Sequence, residues 1–297
     1  MAEVRSPTVR RRELGALLRS FRSAQGLTVE QVAELLMCSP SKVSRMETGR
    51  RGVTARDVRD LCDIYGIADQ DERDRLTTLA QEGKQQAWWQ QYDLRYSDYV
   101  GMEAAALEMS IFQSTVIPAL LQTAEYAQAG YEGAEPRLSP EEIDRQVESR
   151  MNRQRILTRP DPPSLAVVLD EAALHRQTGG VHVMRAQLKH LIQTASWSNI
   201  TIQIVPFMIG AHPAVESNFK IVRLAAPSPD IVFVEGLSGE VFLDKPEDLE
   251  RYHQVFARLK TVALSPKDSV GLITTFCTLP DAAHLPRRSA IGGVIQR

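Results

Sequence analysis

Long apolar runs are missing from this 297-residue chain: no stretch of about 18 consecutive apolar residues occurs, so no membrane-spanning helix is expected. Cysteine is scarce. Cys38, Cys62 and Cys277 are odd in number and far apart, which argues against a disulfide framework and fits a reduced, cytoplasmic setting. The N-terminus, MAEVRSPTVRRREL, has charge but no apolar segment, so it is not read as a secretory signal. Catalytic signatures are missing too. There is no GxSxG, P-loop, HExxH or CxxC, and the 6 histidines are scattered. His182 and His190 are spaced to share a helix face but lack a third ligand, so no metal and no cofactor are expected. Glu235 and Glu240 flank a turn between two expected strands, where a solvated hairpin is the ordinary reading. A hydrophobic content of 43 % and a charged content of 24 % are those of a globular protein, and the length favours two domains.

Net charge is only −2, but it is unevenly placed. Residues 1–60 carry 12 Lys+Arg against 7 Asp+Glu, and the remainder carries 23 against 30. A basic first fifth on an acidic bulk points to a polyanionic partner.

Apolar positions in residues 10–81 recur at helical spacing, as in Leu14, Leu17, Leu18 and Phe21. Gly26 ends the first helix. Thr28, with Gln31 three residues on, begins a second over 28–36. Ser39 caps a third over 40–48, with Pro40 in its first turn, and Gly49 ends it. Thr54 caps a fourth, and a fifth spans 69–81. Two short helices joined by about three residues give helix-turn-helix geometry, whose second helix can enter a major groove. Ser41, Lys42, Ser44 and Arg45 occupy the side of the third helix away from Val43 and Met46. Short hydroxyls and long cations suit base edges, and the basic and hydroxyl residues Arg10, Arg11, Thr28, Ser39, Arg50 and Arg51 suit phosphates.

The runs LTVEQVAELLMCS and SPSKVSRMETGRRGVT resemble the two helices of Cro/repressor-type (XRE) regulators, and the resemblance covers residues 9–67. It places base-reading positions on Pro40, Ser41 and Arg45, beside Lys42 and Ser44. Pro40 departs from the family's common Gln, and Val29 stands where many relatives have a phosphate-binding Gln. The resemblance also implies a structural pair between Arg22 and Glu47.

Residues 84–100, KQQAWWQQYDLRYSDYV, hold Trp88, Trp89, Tyr92, Tyr96 and Tyr99 and contain no Gly or Pro. At helical spacing 88, 92, 96 and 99 share one face, with Trp89 beside it. This stripe suits either a wedge between domains or the wall of a ligand or partner groove. A groove would use Trp88, Trp89, Tyr92 and Tyr96, with His212 on a gating loop in GAHPAVE.

From Met102 to Gly130 the pattern reads as helix, interrupted at Pro118. Further helices are expected over 139–157, 181–195 and 246–264, and a last one in SPKDSVGLITTFC. LAVVLD, NITIQIVPF, NFKIVRL, DIVFVEG and EVFLD read as strands. The fold class is therefore α+β overall: an N-terminal all-α five-helix domain and a C-terminal mixed α/β domain with four to five strands. The expected division is 1–83 helix-turn-helix, 84–100 aromatic connector, 101–279 sensory or partner-binding domain, and 280–297 a poorly ordered tail.

VIPALLQTAEYAQAG, NITIQIVPF, GAHPAVESNFKIVRL, PDIVFVE and LKTVALSPKDSVGLI resemble the C-terminal domain of actinobacterial WhiJ-like regulators, over residues 85–275. That resemblance implies a transcriptional regulator, often accompanied by a small acidic protein, and brings no catalytic residues. The expected function is sequence-specific binding of double-stranded DNA, as a homodimer, controlled by a small-molecule effector or a small acidic protein partner. The alternative is an antitoxin-like protein that sequesters such a partner and binds DNA for autoregulation.

Overall fold

The structure is a computed structural model that describes residues 6–278, apart from 93, 95, 135–137, 227, 237 and 238. The expected tail, 280–297, lies outside the described residues. The chain divides into two compact units. One runs through Leu107 and includes Val222–Asp230, and the other comprises Glu108–Ile221 with Ile231 onward.

The first unit begins with five helices: α1 (Pro7–Ala24), α2 (Val29–Leu35), α3 (Pro40–Glu47), α4 (Ala55–Ile64) and α5 (Gln70–Glu82). Their ends follow from local chemistry. Thr28–Gln31 and Thr54–Asp57 are reciprocal capping boxes, and the Ser39 hydroxyl accepts from the Lys42 N–H. Pro7 and Pro40 sit in first turns, where a missing N–H breaks no helical bond. Leu14, Leu18, Val32, Val43, Met46, Val58, Leu61 and Leu76 form one buried core. A Cβ on Gly15 would stand 2.5 Å from the Glu47 carbonyl oxygen, so only glycine lets α1 and α3 come this close.

Residues beyond α5 also belong to this unit. A 3-10 turn (Trp88–Tyr92) leads to α6 (Ser97–Ala104). A Cβ on Gly101 would stand 2.5 Å from the Thr8 hydroxyl oxygen, and Asp98 accepts from Arg11 at 3.1 Å, so α6 lies against α1. The expected one-faced aromatic stripe does not form, because the 3-10 turn and α6 are separate elements. Trp89 and Tyr99, each 2 % exposed, are the buried members, while Trp88, Tyr92 and Tyr96 are half-buried. Trp88 packs edge-on against both Trp89 and Tyr92.

The second unit is built on strands β1 (Glu108–Gln113), β2 (Ser164–Asp170), β3 (Ile200–Val205), β4 (Phe219–Arg223), β5 (Ile231–Gly236) and β6 (Gly239–Leu243). They form one sheet in the order β3-β2-β1-β4-β5-β6. β1, β2 and β3 are parallel, with Phe112 opposite Val168 and Val168 opposite Gln203. β5 and β6 form an antiparallel hairpin. The helices are α7 (Ala124–Ala134), α8 (Pro140–Gln154), the short α9 (Ala172–His175), α10 (Gly180–Thr194), α11 (Pro246–Val262) and α12 (Pro266–Thr278). Phe256 and Leu259 of α11 join Phe112, Val168, Phe219 and Val232 of the sheet in one core. The outer edge of β3 is closed. Ile204 donates to the Ser269 hydroxyl at 2.9 Å and accepts from the Leu264 N–H at 2.8 Å.

The α+β class is as the sequence reads, with two corrections. The sheet has six strands, not four or five. The additional strand is β1, inside the stretch read as helix from Met102. β1 lies between β2 and β4 with Met109, Ser110, Ile111 and Phe112 all buried, so it shows no alternation to mark it as a strand.

Candidate nucleic-acid interface

The turn between α2 and α3 is made by Met37 and Cys38 before the Ser39 cap. Met37 has φ 49°, in the left-handed region, and its side chain is 91 % exposed. This bend sends α3 across α2, with Val43 and Met46 in the core.

Ser41, Ser44 and Arg45 are exposed on α3. Arg45 Nε donates to the Ser41 carbonyl at 3.2 Å, which lays the side chain along its own helix. Past the Thr48 C-cap, the chain folds back so that the Arg51 N–H donates to the Arg45 carbonyl at 3.0 Å. Arg50 and Arg51 are exposed beside it. The only acid between Pro40 and Arg51 is Glu47, which is buried at 9 % exposure. Apart from Pro40, the exposed side chains of this segment are therefore cationic or hydroxylic.

Glu47 faces inward because Arg22 takes it. Arg22 Nε donates to Glu47 Oε1 at 2.6 Å and Nη2 to Oε2 at 3.0 Å, a two-pronged pair. Arg22 Nη1 also donates to the Leu27 carbonyl at 2.8 Å, fixing the end of α1 to the start of the helix-turn-helix. The Glu47 hydrogen bond holds the Arg22 guanidinium above its ordinary pKa, against the opposing effect of burial.

Lys42 stands apart from the other α3 residues. Its Nζ is 2.7 Å from Asp57 Oδ1 on α4. Asp57 also accepts from the Thr54 N–H and hydroxyl. Burial raises its pKa, but the bonds from Lys42 and Thr54 together hold it below the usual carboxylate range. Lys42 thus fastens α3 to α4. Asp57 is absent from the sequence reading, although the Thr54-x-x-Asp57 spacing of a capping box signals it.

The expected phosphate contacts divide in the same way. Arg10 forms ion pairs with Glu13 and Glu82, and Arg11 with Asp98. Their side chains are 18 % and 24 % exposed. Both tie elements together within the first unit. Thr28 and Ser39 are exposed, with their hydroxyl oxygens accepting cap bonds from Gln31 and Lys42.

The expected groove residues have separate surroundings. Trp88, Trp89, Tyr92 and Tyr96 lie in the first unit and His212 in the second. The His212 side chain is 3 % exposed. Its Nδ1 accepts from the Ala214 N–H at 3.3 Å, its Nε2 faces Asp170 at 3.3 Å, and its ring meets Phe112 edge-on. His212 is an interior tie from β2 to the loop before β4. His182 is exposed, and His190 is half-buried with its pKa lowered by burial. No group of three or more potential metal ligands occurs among the described residues. Glu235 and Glu240 are cross-strand neighbours, and Lys220 lies 3.6 Å from Glu235. No described helix is long and apolar enough to cross a membrane.

Compared with known families, residues 13–76 match a helix-turn-helix domain, which supports a DNA-binding transcriptional regulator. Residues 96–275 match the domain of unknown function DUF5753, and the chain belongs to that family. A solved structure, that of the clp gene regulator ClgR from C. glutamicum, is 31 % identical over 26 % of this chain and 96 % of that one, with a TM-score of 0.21. No curated protein matches the chain.

Proposed function

We propose that this regulator binds a specific DNA sequence through α3, with Ser41, Ser44 and Arg45 directed at base edges. Arg50 and Arg51, with Thr28 and Ser39, take the phosphates. The observation that supports this most directly is the surface of residues 40–51, whose single acid is turned inward by Arg22. Arg45, Arg50 and Arg51 have no carboxylate partner among the described residues, unlike Arg10, Arg11 and Lys42.

One small helix-turn-helix contacts too little DNA for strong specificity, so the protein acts as a homodimer on a pseudo-palindromic site. The DUF5753 domain receives a small-molecule effector or a small protein partner and shifts DNA affinity by preferring one state. The protein performs no catalysis.

The test is Arg45→Ala in the full chain, titrated against an operator selected from random sequence. Loss of a base contact costs about 1–3 kcal/mol on the operator and much less on unrelated DNA. Equal losses on both would make Arg45 a phosphate contact and remove the base-reading assignment.

A further inference from the structure

The second unit contains a guanidinium with no direct acidic hydrogen-bond partner among the described residues. Arg150, on α8, donates from Nη1 to the Gln122 side-chain oxygen at 2.6 Å and from Nη2 to the Tyr131 hydroxyl at 2.7 Å. The Tyr131 ring lies under the guanidinium, 4.3 Å from its centre. Both hydrogen-bond acceptors are neutral. The third nitrogen, Nε, is enclosed and has no acceptor among the described residues. Burial pushes the guanidinium pKa down and the nearby Arg153 adds to that, while Tyr131 and Glu235 oppose.

Elsewhere this chain treats partly buried arginines differently. Arg22 has Glu47, Arg10 has Glu13 and Glu82, and Arg11 has Asp98. Placing a desolvated cation against neutral oxygens alone is costly unless an anion completes it. The neutral partners are themselves rigidly held. The Gln122 side-chain amide donates to the Ile117 carbonyl at 2.6 Å, and the Gln122 backbone carbonyl accepts from Gln154 at 2.7 Å. Gln154 also donates to the Ala119 carbonyl at 2.9 Å. The fork is therefore held in one orientation. A guanidinium has five N–H donors, so three remain beyond these two bonds, Nε–H among them. Arg150 as a residue is half-buried.

We infer that Arg150 anchors an oxyanion site in the DUF5753 domain, taking the carboxylate or phosphate group of a small molecule on the guanidinium fork between α7 and α8. Planar two-pronged recognition is what arginine supplies and a point charge does not. The site deepens the effector reading above and rests on that reading only for its consequence on DNA.

The experiment uses the full-length protein with inorganic phosphate and, separately, acetate as probes, and chloride at matched ionic strength. Two quantities are read: melting temperature and the 15N resonance of Arg150 Nε–H. Either oxyanion should raise the melting temperature above the chloride control and shift that resonance. Arg150→Met should weaken the response at least about tenfold, as loss of a charge-assisted bond requires. Arg150→Lys, which keeps the charge and loses the fork, should fall between. Response to phosphate alone assigns a phosphorylated ligand, and response to acetate alone a carboxylate. Response to neither, or an equal response to chloride, overturns the site. So does an undiminished response in Arg150→Met. If Arg150→Met does not fold, the wild-type resonance and Arg150→Lys decide by the same criteria. Operator titration is run separately. Lost DNA binding with intact oxyanion binding counts against the regulator reading and leaves this site standing.

Discussion

Tyr65 is 2 % exposed in the helix-turn-helix core, and its hydroxyl is enclosed without an acceptor among the described residues. An enclosed hydroxyl without a partner is a net loss relative to water. Tyr65→Phe should therefore raise stability, by about 1 kcal/mol, seen as a higher midpoint in urea. Burial is also the main reason the phenol pKa is raised. A raised folded pKa means that stability is fully present below the ordinary phenol pKa of about 10 and is lost as the pH climbs beyond it. The wild type should weaken more steeply above that pH than Tyr65→Phe. Glu47 presents the opposite case, a buried acid that is well matched. Glu47→Ala strands Arg22 and should cost roughly 3–5 kcal/mol. Unchanged melting of that variant would show the pair to be incidental. The pairing of Arg22 with Glu47 was legible only through family resemblance, since nothing in the spacing of 22 and 47 requires it. The lack of a direct acidic partner for Arg150 among the described residues could not be read from sequence at all, because it depends on which side chains separate segments bring together.

At the level of elements, local signals were the readable ones. Ser, Thr and Pro at helix starts and Gly26 and Gly49 at helix ends put the five helices within a few residues of where they lie. The five strands from β2 to β6 carry β-branched runs bounded by turns and were legible for that reason. β1 was not, since an Ala-rich lead-in precedes a short run buried throughout. The aromatic stripe failed for a related reason. Steps of four, four and three mean something only on a continuous helix, and the backbone changes from a 3-10 turn to a separate helix between Tyr92 and Ser97.

Two predictions belong at this scale. Gly15→Ala inserts a methyl against the α3 backbone and should destabilise by about 1–3 kcal/mol, weakening DNA binding by displacing α3. The Lys42–Asp57 tie between α3 and α4 acts through a carboxylate held below its usual range. A lowered folded pKa gives stability that is present above the unfolded value, near 4, and lost as pH falls through the folded one. Lys42→Met should therefore show a shallower loss of stability on acidification than the wild type. An identical acid profile would remove Asp57 from the account.

For the molecule as a whole, the charge division between residues 1–60 and the rest was plain in the sequence, but which arginines face outward was not. Arg10 and Arg11 are as basic as Arg50 and Arg51 and lie in an equally basic run, yet tertiary partners claim the first two. DNA affinity should therefore be carried by a short cationic surface at the end of α3, and not by the N-terminal arginines. The measurement that tests this most directly is the salt dependence of full-length protein binding to its operator. Each phosphate contact contributes about 0.9 to the slope of log K against log salt. Arg50→Ala and Arg51→Ala should each flatten that slope by about this amount, while Arg10→Ala, once shown to be folded, leaves it unchanged. A slope insensitive to Arg50 and Arg51 but reduced by loss of Arg10 would contradict the account.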